Sequence, residues 1–139
     1  MTAETSPPRD LLDAARAAQA RAYAPYSKFR VGAAVRVPDG SVVAGANVEN
    51  ASYGLACCAE RTAVFSAVAG GAREIVEVLV VGETDRPVPP CGACRQVLSE
   101  FAPPQAVVWL VGREGRVSRT TIGEILPDAF GPKELGITP

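Results

Sequence analysis

Apolar residues recur along this chain with two different periods, which separate predicted helices from predicted strands. Apolar positions three and four residues apart predict helices, which we place at residues 10–23, 58–69, 91–101 and 122–126. Runs of β-branched residues and short, nearly continuous apolar runs predict strands, which we place at residues 29–37, 41–47, 75–81, 106–111 and 116–119. The Pro-Asp-Gly sequence at residues 38–40 suits a tight turn, so the first two strands are expected to form a hairpin.

The order of the predicted elements defines the fold class. From the N-terminus it is α-β-β-α-β-α-β-β-α, which predicts an α/β fold: a three-layer α/β/α sandwich around one mixed five-stranded sheet. We find no internal repeat, linker or low-complexity segment, and we therefore expect residues 1–139 to form a single domain. Residues 1–8 are expected to be disordered, and residues 131–139 to run over the surface as a tail.

Composition and charge exclude several classes of function. Fourteen Lys and Arg residues against fifteen Asp and Glu leave a net charge of −1 without a long basic run, so we expect no nucleic-acid partner. No apolar stretch is long enough to cross a bilayer and the N-terminus does not resemble a signal peptide, so we expect a soluble, cytoplasmic protein. The absence of histidine excludes catalytic triads and metal sites that depend on imidazole.

Four cysteines stand in two close pairs, Cys57 with Cys58 and Cys91 with Cys94. In a chain without a secretory signal, such residues are expected to be metal ligands or catalytic thiols sooner than disulfides. The Cys-x-x-Cys pair alone is compatible with redox chemistry, with a structural zinc site and with catalysis. Cys58, however, also lies at a predicted helix start, 33 residues before Cys91. We therefore expect three thiols to converge, and three thiolates suit zinc.

The predicted metal site has an open position. Side chains of adjacent residues point about 100° apart on a helix and about 180° apart on a strand, so Cys57 is a poor fourth ligand for a metal that Cys58 holds. A catalytic zinc keeps such an open position for water. We therefore expect Cys57 to be a small buried residue and not a ligand.

Glu60 and Pro90 extend the cysteine pattern toward catalysis. A glutamate in the first turn of a helix often does no more than interact with the helix dipole. In zinc deaminases, however, a ligand-x-Glu sequence is followed by Pro-Cys-x-x-Cys, and the glutamate acts as general acid and base without binding the metal. The sequence has CAE at residues 58–60 and PCGAC at residues 90–94, which is the three-cysteine form of that pattern.

Three longer motifs add to this pattern: PYSKFRVGAA at residues 25–34, GANVENASY at residues 45–53 and CAERTA at residues 58–63. With them the chain resembles the small homotetrameric cytidine deaminases over residues 26–130. The resemblance implies their fold, one zinc ion per chain, a nucleoside substrate and a homotetramer with shared active sites. The site residues that it implies are Cys58, Cys91 and Cys94 for zinc, Glu60 for proton transfer, Arg61 against the thiolates, Asn47 and Glu49 for ribose, Phe29 for the pyrimidine, and Ala59 and Phe130 as further substrate contacts, Phe130 at a neighbouring subunit's site.

The implied reaction is hydrolytic deamination of cytidine and deoxycytidine. Zinc lowers the pKa of bound water toward about 7, Glu60 takes the proton, and the hydroxide attacks C4 of the cytosine ring. Glu60 then protonates ring N3 and the departing amine, so ammonia leaves and uridine or deoxyuridine remains. Because three thiolates outweigh the charge of the zinc ion, we expect the two helix N-termini and Arg61 to compensate.

Alternative functions stay open at this stage. The nearest is deamination of another aminopyrimidine compound, such as the nucleoside antibiotic blasticidin S, whose deaminases resemble this chain in fold and zinc motif. Phe29, the Asn47 and Glu49 pair, and Phe130 favour a simple nucleoside. A nucleotide or polynucleotide substrate is disfavoured because those deaminases usually have histidine where Cys58 stands. A non-enzymatic zinc module or a redox protein that uses the Cys-x-x-Cys pair belongs to a different class.

Overall fold

The structure is a computed structural model that describes residues 6–139. Its helices are α1 (Arg9–Gln19), α2 (Ala59–Ala69), α3 (Gly92–Phe101) and α4 (Ile122–Ile125). Its strands are β1 (Gly32–Arg36), β2 (Val42–Ala46), β3 (Glu77–Val81), β4 (Val107–Val111) and β5 (Val117–Thr121). Residues 1–5, which are most of the segment 1–8 that was predicted to be disordered, lie outside the described part of the chain. The C-terminal segment after residue 131 includes a short 3₁₀ helix, Pro132–Leu135.

The five strands form one mixed sheet in the order β2-β1-β3-β4-β5, which confirms the prediction. Strand β1 pairs antiparallel with both β2 and β3, and β3 pairs parallel with β4. Strands β2 and β3 therefore run in the same direction, and their last residues, Ala46 and Val81, both lie opposite Gly32. The chain enters β1 and leaves β2 and β3 at one edge of the sheet, which we call the Gly32 edge.

Alternate residues of the strands fill two separate cores, as a strand period of two requires. Val78 and Val80 of β3 pack toward α2 and α3, in a core that includes Ala63 and Leu98. Leu79 and Val81 belong to the core on the opposite face, beneath α1. Helix α1 alone covers one face while the other helices cover the second, which confirms the predicted three-layer sandwich.

The first strand and the first helix show the largest differences from their predicted limits, and in both cases contacts with the chain after β2 end the element. The first strand, predicted over residues 29–37, begins only at Gly32. The N–H of Val31 and the carbonyl of Phe29 are instead bound by the side chain of Asn47. The first helix, predicted over residues 10–23, ends at Gln19, and the chain then pairs at Tyr23 with Val48.

Helix α2 lies unusually close to β2, and a glycine makes this approach possible. A Cβ atom at Gly45 would lie 2.4 Å from the backbone nitrogen of Ala63 and 2.4 Å from Oγ1 of Thr62. The Thr62 hydroxyl in turn lies 2.8 Å from the carbonyl oxygen of Ala46 and 2.9 Å from that of Ala59. The first turn of α2 is therefore seated directly on the end of β2, at the Gly32 edge.

We expect Gly45→Ala to lower the free energy of unfolding by about 1–3 kcal/mol, because the new methyl group must displace the backbone of α2. Gly54→Ala is the matched control, since a Cβ atom at Gly54 meets nothing within 4 Å. Denaturant unfolding of both variants measures the difference. Equal stability of the two variants would show that α2 tolerates a side chain at this position.

Candidate metal and active site

Three cysteine sulfurs converge at the starts of two helices. Cys58 is the N-cap residue of α2, Cys91 is the N-cap residue of α3, and Cys94 lies in the first turn of α3. Their sulfur atoms all lie within 4.8 Å of one another. An N-cap side chain usually accepts a hydrogen bond from its own helix. Within residues 6–139, neither N-cap cysteine does so, and both sulfurs are available to a metal.

The spacing of the sulfurs fits zinc. Cys58 Sγ and Cys91 Sγ are 3.8 Å apart, and Cys91 Sγ and Cys94 Sγ are 3.5 Å apart. Zinc–thiolate bonds of about 2.3 Å in a tetrahedral arrangement require sulfurs about 3.8 Å apart. Three such ligands leave the fourth position of the tetrahedron free for water or substrate.

Cys57 is not part of this cluster, in agreement with its predicted exclusion. Its N–H and carbonyl group both pair with Val48, each at 2.9 Å. This β-bridge joins the residue before Cys58 to the chain that follows β2. Cys57 was predicted to be buried, but its side chain is only partly buried, and this partial burial raises the pKa of its thiol.

The ionisation of Cys58 and Cys94 shows why the cluster favours a cation. A hydrogen bond with Cys94, and then one with Arg61, lower the pKa of Cys58 to about 5. The same bond, together with burial, raises the pKa of Cys94, because its proton serves the Cys58 thiolate. One thiol thus ionises at the expense of another. A divalent cation removes this conflict, since it stabilises all three thiolates together.

Arg61 supplies positive charge where the excess of thiolates was predicted to require it. Its Nη2 donates to Cys58 Sγ at 3.4 Å. Hydrogen bonding to Cys58 raises the pKa of Arg61 further above its ordinary value, with a smaller contribution from Cys94. The Nε atom of the same guanidinium is buried and has no hydrogen-bond partner among the described residues. The arginine therefore stays charged beside the sulfurs.

Glu60 is buried beside the metal ligands. Its relative exposure is 5%, and it lies in the first turn of α2 two residues after Cys58. Burial, and to a smaller extent the Cys58 thiolate, raise the pKa of the carboxyl group. A carboxyl group whose pKa is raised toward neutrality can both take and return a proton. The structure thus places a buried carboxyl group of raised pKa next to the cysteine cluster.

Asn47 connects β2 to the segment that carries Phe29. Its Oδ1 accepts from the N–H of Val31 at 2.8 Å, and its Nδ2 donates to the carbonyl of Phe29 at 2.8 Å. The Phe29 ring is half-buried and lies beside Gly82, just beyond β3: a Cβ atom at Gly82 would be 3.6 Å from its Cζ atom. Asn47 and Phe29 therefore meet at the Gly32 edge, where β1 begins and β2 and β3 end.

Glu49 binds the same segment, two residues further along. Its carboxylate accepts from the N–H groups of Tyr26 and Ser27 at 3.0 and 3.1 Å, and also from the Ser27 hydroxyl. These bonds, the hydroxyl first, lower the pKa of Glu49, so the group is ionised. Together with Asn50 and Tyr53, the three residues line an open groove beside the chain that leads to Cys58.

Ala59 and Phe130 differ in their surroundings. Ala59 is fully buried as the first residue of α2. Phe130 has a relative exposure of 57%, and only its backbone is held, since Nε2 of Gln96 in α3 donates to its carbonyl oxygen at 2.8 Å.

Sequence reasoning did not identify the residues that orient the predicted ones. Ser27, Thr62 and Arg95 each bind a backbone or a side chain next to a predicted site residue. Each of the three has a partner that is distant in sequence, namely Glu49, Ala46 and Ile125, and no local pattern reveals such a contact. The signal available for Arg95 was its place directly after Cys94.

Comparison with known proteins agrees with this geometry. Residues 6–110 match the family described as the cytidine and deoxycytidylate deaminase zinc-binding region. A cytidine deaminase of Halalkalibacterium halodurans is 54% identical over 121 residues, which cover 86% of this chain and 92% of that protein. The crystal structure of a cytidine deaminase from Burkholderia pseudomallei has a TM-score of 0.84 and 53% identity, covering 94% of this chain and 100% of that one. A blasticidin-S deaminase of Bacillus cereus is 34% identical over 109 residues, 73% of this chain and 76% of that protein.

The chain therefore belongs to the cytidine and deoxycytidylate deaminase family. Its metal cofactor is zinc, as the cysteine spacing predicted, and its class of enzyme is hydrolase. Among the described residues, no helix is long and apolar enough to cross a membrane.

We expect Cys58→Ala to lose its zinc on dialysis against a chelator, whereas Cys57→Ala keeps about one zinc ion per chain. The two cysteines are chain neighbours, but only the sulfur of Cys58 lies in the cluster. Metal analysis of the dialysed proteins measures the difference. A zinc-free Cys57→Ala protein that is otherwise folded would contradict this assignment of ligands.

Proposed function

We propose that this chain converts cytidine and deoxycytidine to uridine and deoxyuridine by hydrolysis, with release of ammonia. The observation that carries the proposal is the buried carboxyl group of Glu60 beside three sulfurs at zinc-binding distance. Water must be deprotonated and an amine protonated in this reaction, and one carboxyl group of raised pKa can do both in turn.

The division of labour follows from the positions of the groups. Cys58, Cys91 and Cys94 would hold the zinc ion, which would polarise a water molecule as the nucleophile. Glu60 takes a proton from that water, and C4 of the cytosine ring gains the oxygen. Glu60 then delivers this proton to ring N3, takes a second proton from the oxygen now bound to C4, and passes it to the amino group, whose bond to C4 breaks so that ammonia leaves and a carbonyl group remains. Arg61 donates to Cys58 and partly offsets the negative charge of the thiolates, which would otherwise oppose the ionisation of the water molecule.

Asn47 and Glu49 retain hydrogen-bonding capacity for a ribose. Glu49 accepts three hydrogen bonds within the chain, which leaves about one of the four acceptor positions of a carboxylate. Asn47 likewise uses one lone pair of Oδ1 and one N–H of Nδ2, so one of each remains. We propose that these groups bind sugar hydroxyls while Phe29 packs against the pyrimidine. As first residue of α2, Ala59 adds a free backbone N–H.

A side-by-side ammonia-release assay tests the substrate. Cytidine and deoxycytidine should be deaminated, whereas their monophosphates and blasticidin S should react far more slowly. The negative charge of Glu49 in the groove disfavours phosphate. If blasticidin S reacted faster than cytidine, the chain would be a blasticidin-S deaminase, like its Bacillus cereus relative. Absence of ammonia release from a zinc-loaded protein would reject the proposal.

We also propose that the protein acts in pyrimidine salvage in the cytoplasm. Support comes from the state of its cysteines, all four of which are free thiols. A reducing compartment keeps such thiols available to zinc, whereas an oxidising one favours disulfides.

We expect Glu60→Gln to retain zinc and to lose turnover by about 10²–10⁴-fold, because the amide cannot move protons but does not disturb the ligands. Glu74→Gln, a change at an exposed glutamate far from the cluster in sequence, is the matched control and should remain fully active. Turnover of cytidine and metal content are measured for both. A Glu60→Gln enzyme with more than half of normal activity would refute the assigned role.

We propose that the active form is a homotetramer in which Phe130 of one chain closes the pyrimidine pocket of another. Large apolar side chains are exposed in the single chain, among them Tyr53, Leu55 and Phe130. Apolar surface of this kind is typical of association sites. The exposed ring of Phe130 on a held backbone suits contact with a neighbouring subunit.

We expect Phe130→Ala to raise the KM for cytidine by about 10–100-fold, the loss that burial of an aromatic ring implies. Ile137→Ala, an equally exposed apolar residue of the same tail, is the matched control. Steady-state kinetics and mass measurement in solution give the result.

Mixing Glu60→Gln chains with chains truncated before Asp128 should restore partial activity. No recovery after verified subunit exchange would exclude the shared site.

A further inference from the structure

Arg95 joins three parts of the structure around the metal-binding loop. It lies in α3 directly after Cys94, and its Nε donates to the carbonyl oxygen of Pro90 at 2.7 Å. Its Nη1 donates to the carbonyl oxygen of Ile125, the last residue of α4, at 2.9 Å. The side chain is partly buried. One guanidinium group thus holds the residue before Cys91 and the end of a separate helix.

Cys91 is the ligand that most needs such support. Cys94 is buried within α3, and Cys58 is half-buried and bonded by Arg61, but Cys91 is exposed. It follows a loop from Gly82 that has no regular secondary structure. Its position therefore depends on how the residue before it, Pro90, is fixed. Pro90 is among the fully buried residues of the chain, and Arg95 binds its only polar backbone group.

The guanidinium geometry suits this task better than a point charge would. Arginine presents several N–H donors in a rigid plane, so two carbonyl groups can be held in one fixed arrangement. The carbonyl of Ile125 lies at a helix end, where the helix itself offers no donor. Arg95 satisfies this group and Pro90 together, and α4 thereby becomes a fixed support for the loop.

We propose that Arg95 is a positioning residue for the zinc site: it holds Pro90 against α4 so that the sulfur of Cys91 stays at metal-binding distance from those of Cys58 and Cys94. It touches neither substrate nor metal in this role. Groups that orient metal ligands in this way typically change metal affinity by about 10–100-fold when they are removed.

The test measures zinc release from the zinc-loaded protein to a chromogenic chelator. Arg95→Met should release zinc about 10–100-fold faster than the unaltered chain. Arg95→Lys keeps the charge but cannot hold both carbonyl groups, so it should also release zinc faster. Arg73→Met is the matched control, because Arg73 likewise donates to two backbone carbonyls, those of Val68 and Ala72, but at the far end of α2.

Thermal unfolding of the metal-free proteins separates positioning from general stability. If Arg95 positions Cys91, both metal-free variants stay folded at the temperature of the release assay, and only Arg95→Met releases zinc faster. Zinc release within about twofold of normal in Arg95→Met, or equally fast release from Arg73→Met, would overturn the proposal. Should Arg95→Met fail to fold, Arg95→Lys decides by the same criterion.

The inference rests on the proposed zinc site and not on the proposed reaction. Zinc release is measured without substrate, so a protein that fails to deaminate cytidine can still show the Arg95 effect. That combination would refute the proposed function alone. Normal turnover of cytidine with unchanged zinc release in both Arg95 variants would refute the positioning role alone.

Discussion

The site depends on one constraint of the sheet, the common direction of β2 and β3. Because both strands end opposite Gly32, the chain leaves each of them at the same edge, and the next helix in each case starts with a cysteine as its N-cap residue. Ends of strands that run in one direction are the usual place for a ligand site in sheets of this kind. The segment that enters β1 reaches the same edge, and it carries Phe29. The cysteine cluster and the proposed substrate-binding residues thus share a location through topology and not through proximity in sequence.

This arrangement concentrates acidic groups in one place, two of which, Cys94 and Glu60, are buried. Three sulfurs and the carboxyl group of Glu60 lie together. Among the described residues, Arg61 is the cation that donates a hydrogen bond to one of these sulfurs, that of Cys58. Without a metal, ionisation of one thiol suppresses that of its neighbour Cys94. Burying such groups costs folding free energy unless they are paired. The metal therefore contributes to the stability of the site as well as to its chemistry.

The sequence was sufficient for the elements with strong periodicity and for the ligands with short spacing. Strands β3 and β4 follow from apolar runs, and Cys91 with Cys94 from their separation. The start of β1 could not be predicted, because the side chain of Asn47 takes hydrogen bonds that a ladder would otherwise use. The close approach at Gly45 was equally hidden, since it depends on which helix lies over which strand. Local patterns record preferences of a segment, whereas these features arise from contacts between distant segments.

The attachment of residue 130 bears on how this scaffold can change its substrates. Gln96 binds the carbonyl oxygen of Phe130 and leaves the ring unbound. Since every amino acid carries that oxygen, the path of the segment does not depend on which side chain stands there. In the proposed tetramer, replacement of the aromatic ring therefore alters the shape presented to a bound base without a new loop conformation. Position 130 is accordingly a place where relatives could diverge in substrate range, and where a designed library would sample specificity at little risk to the fold.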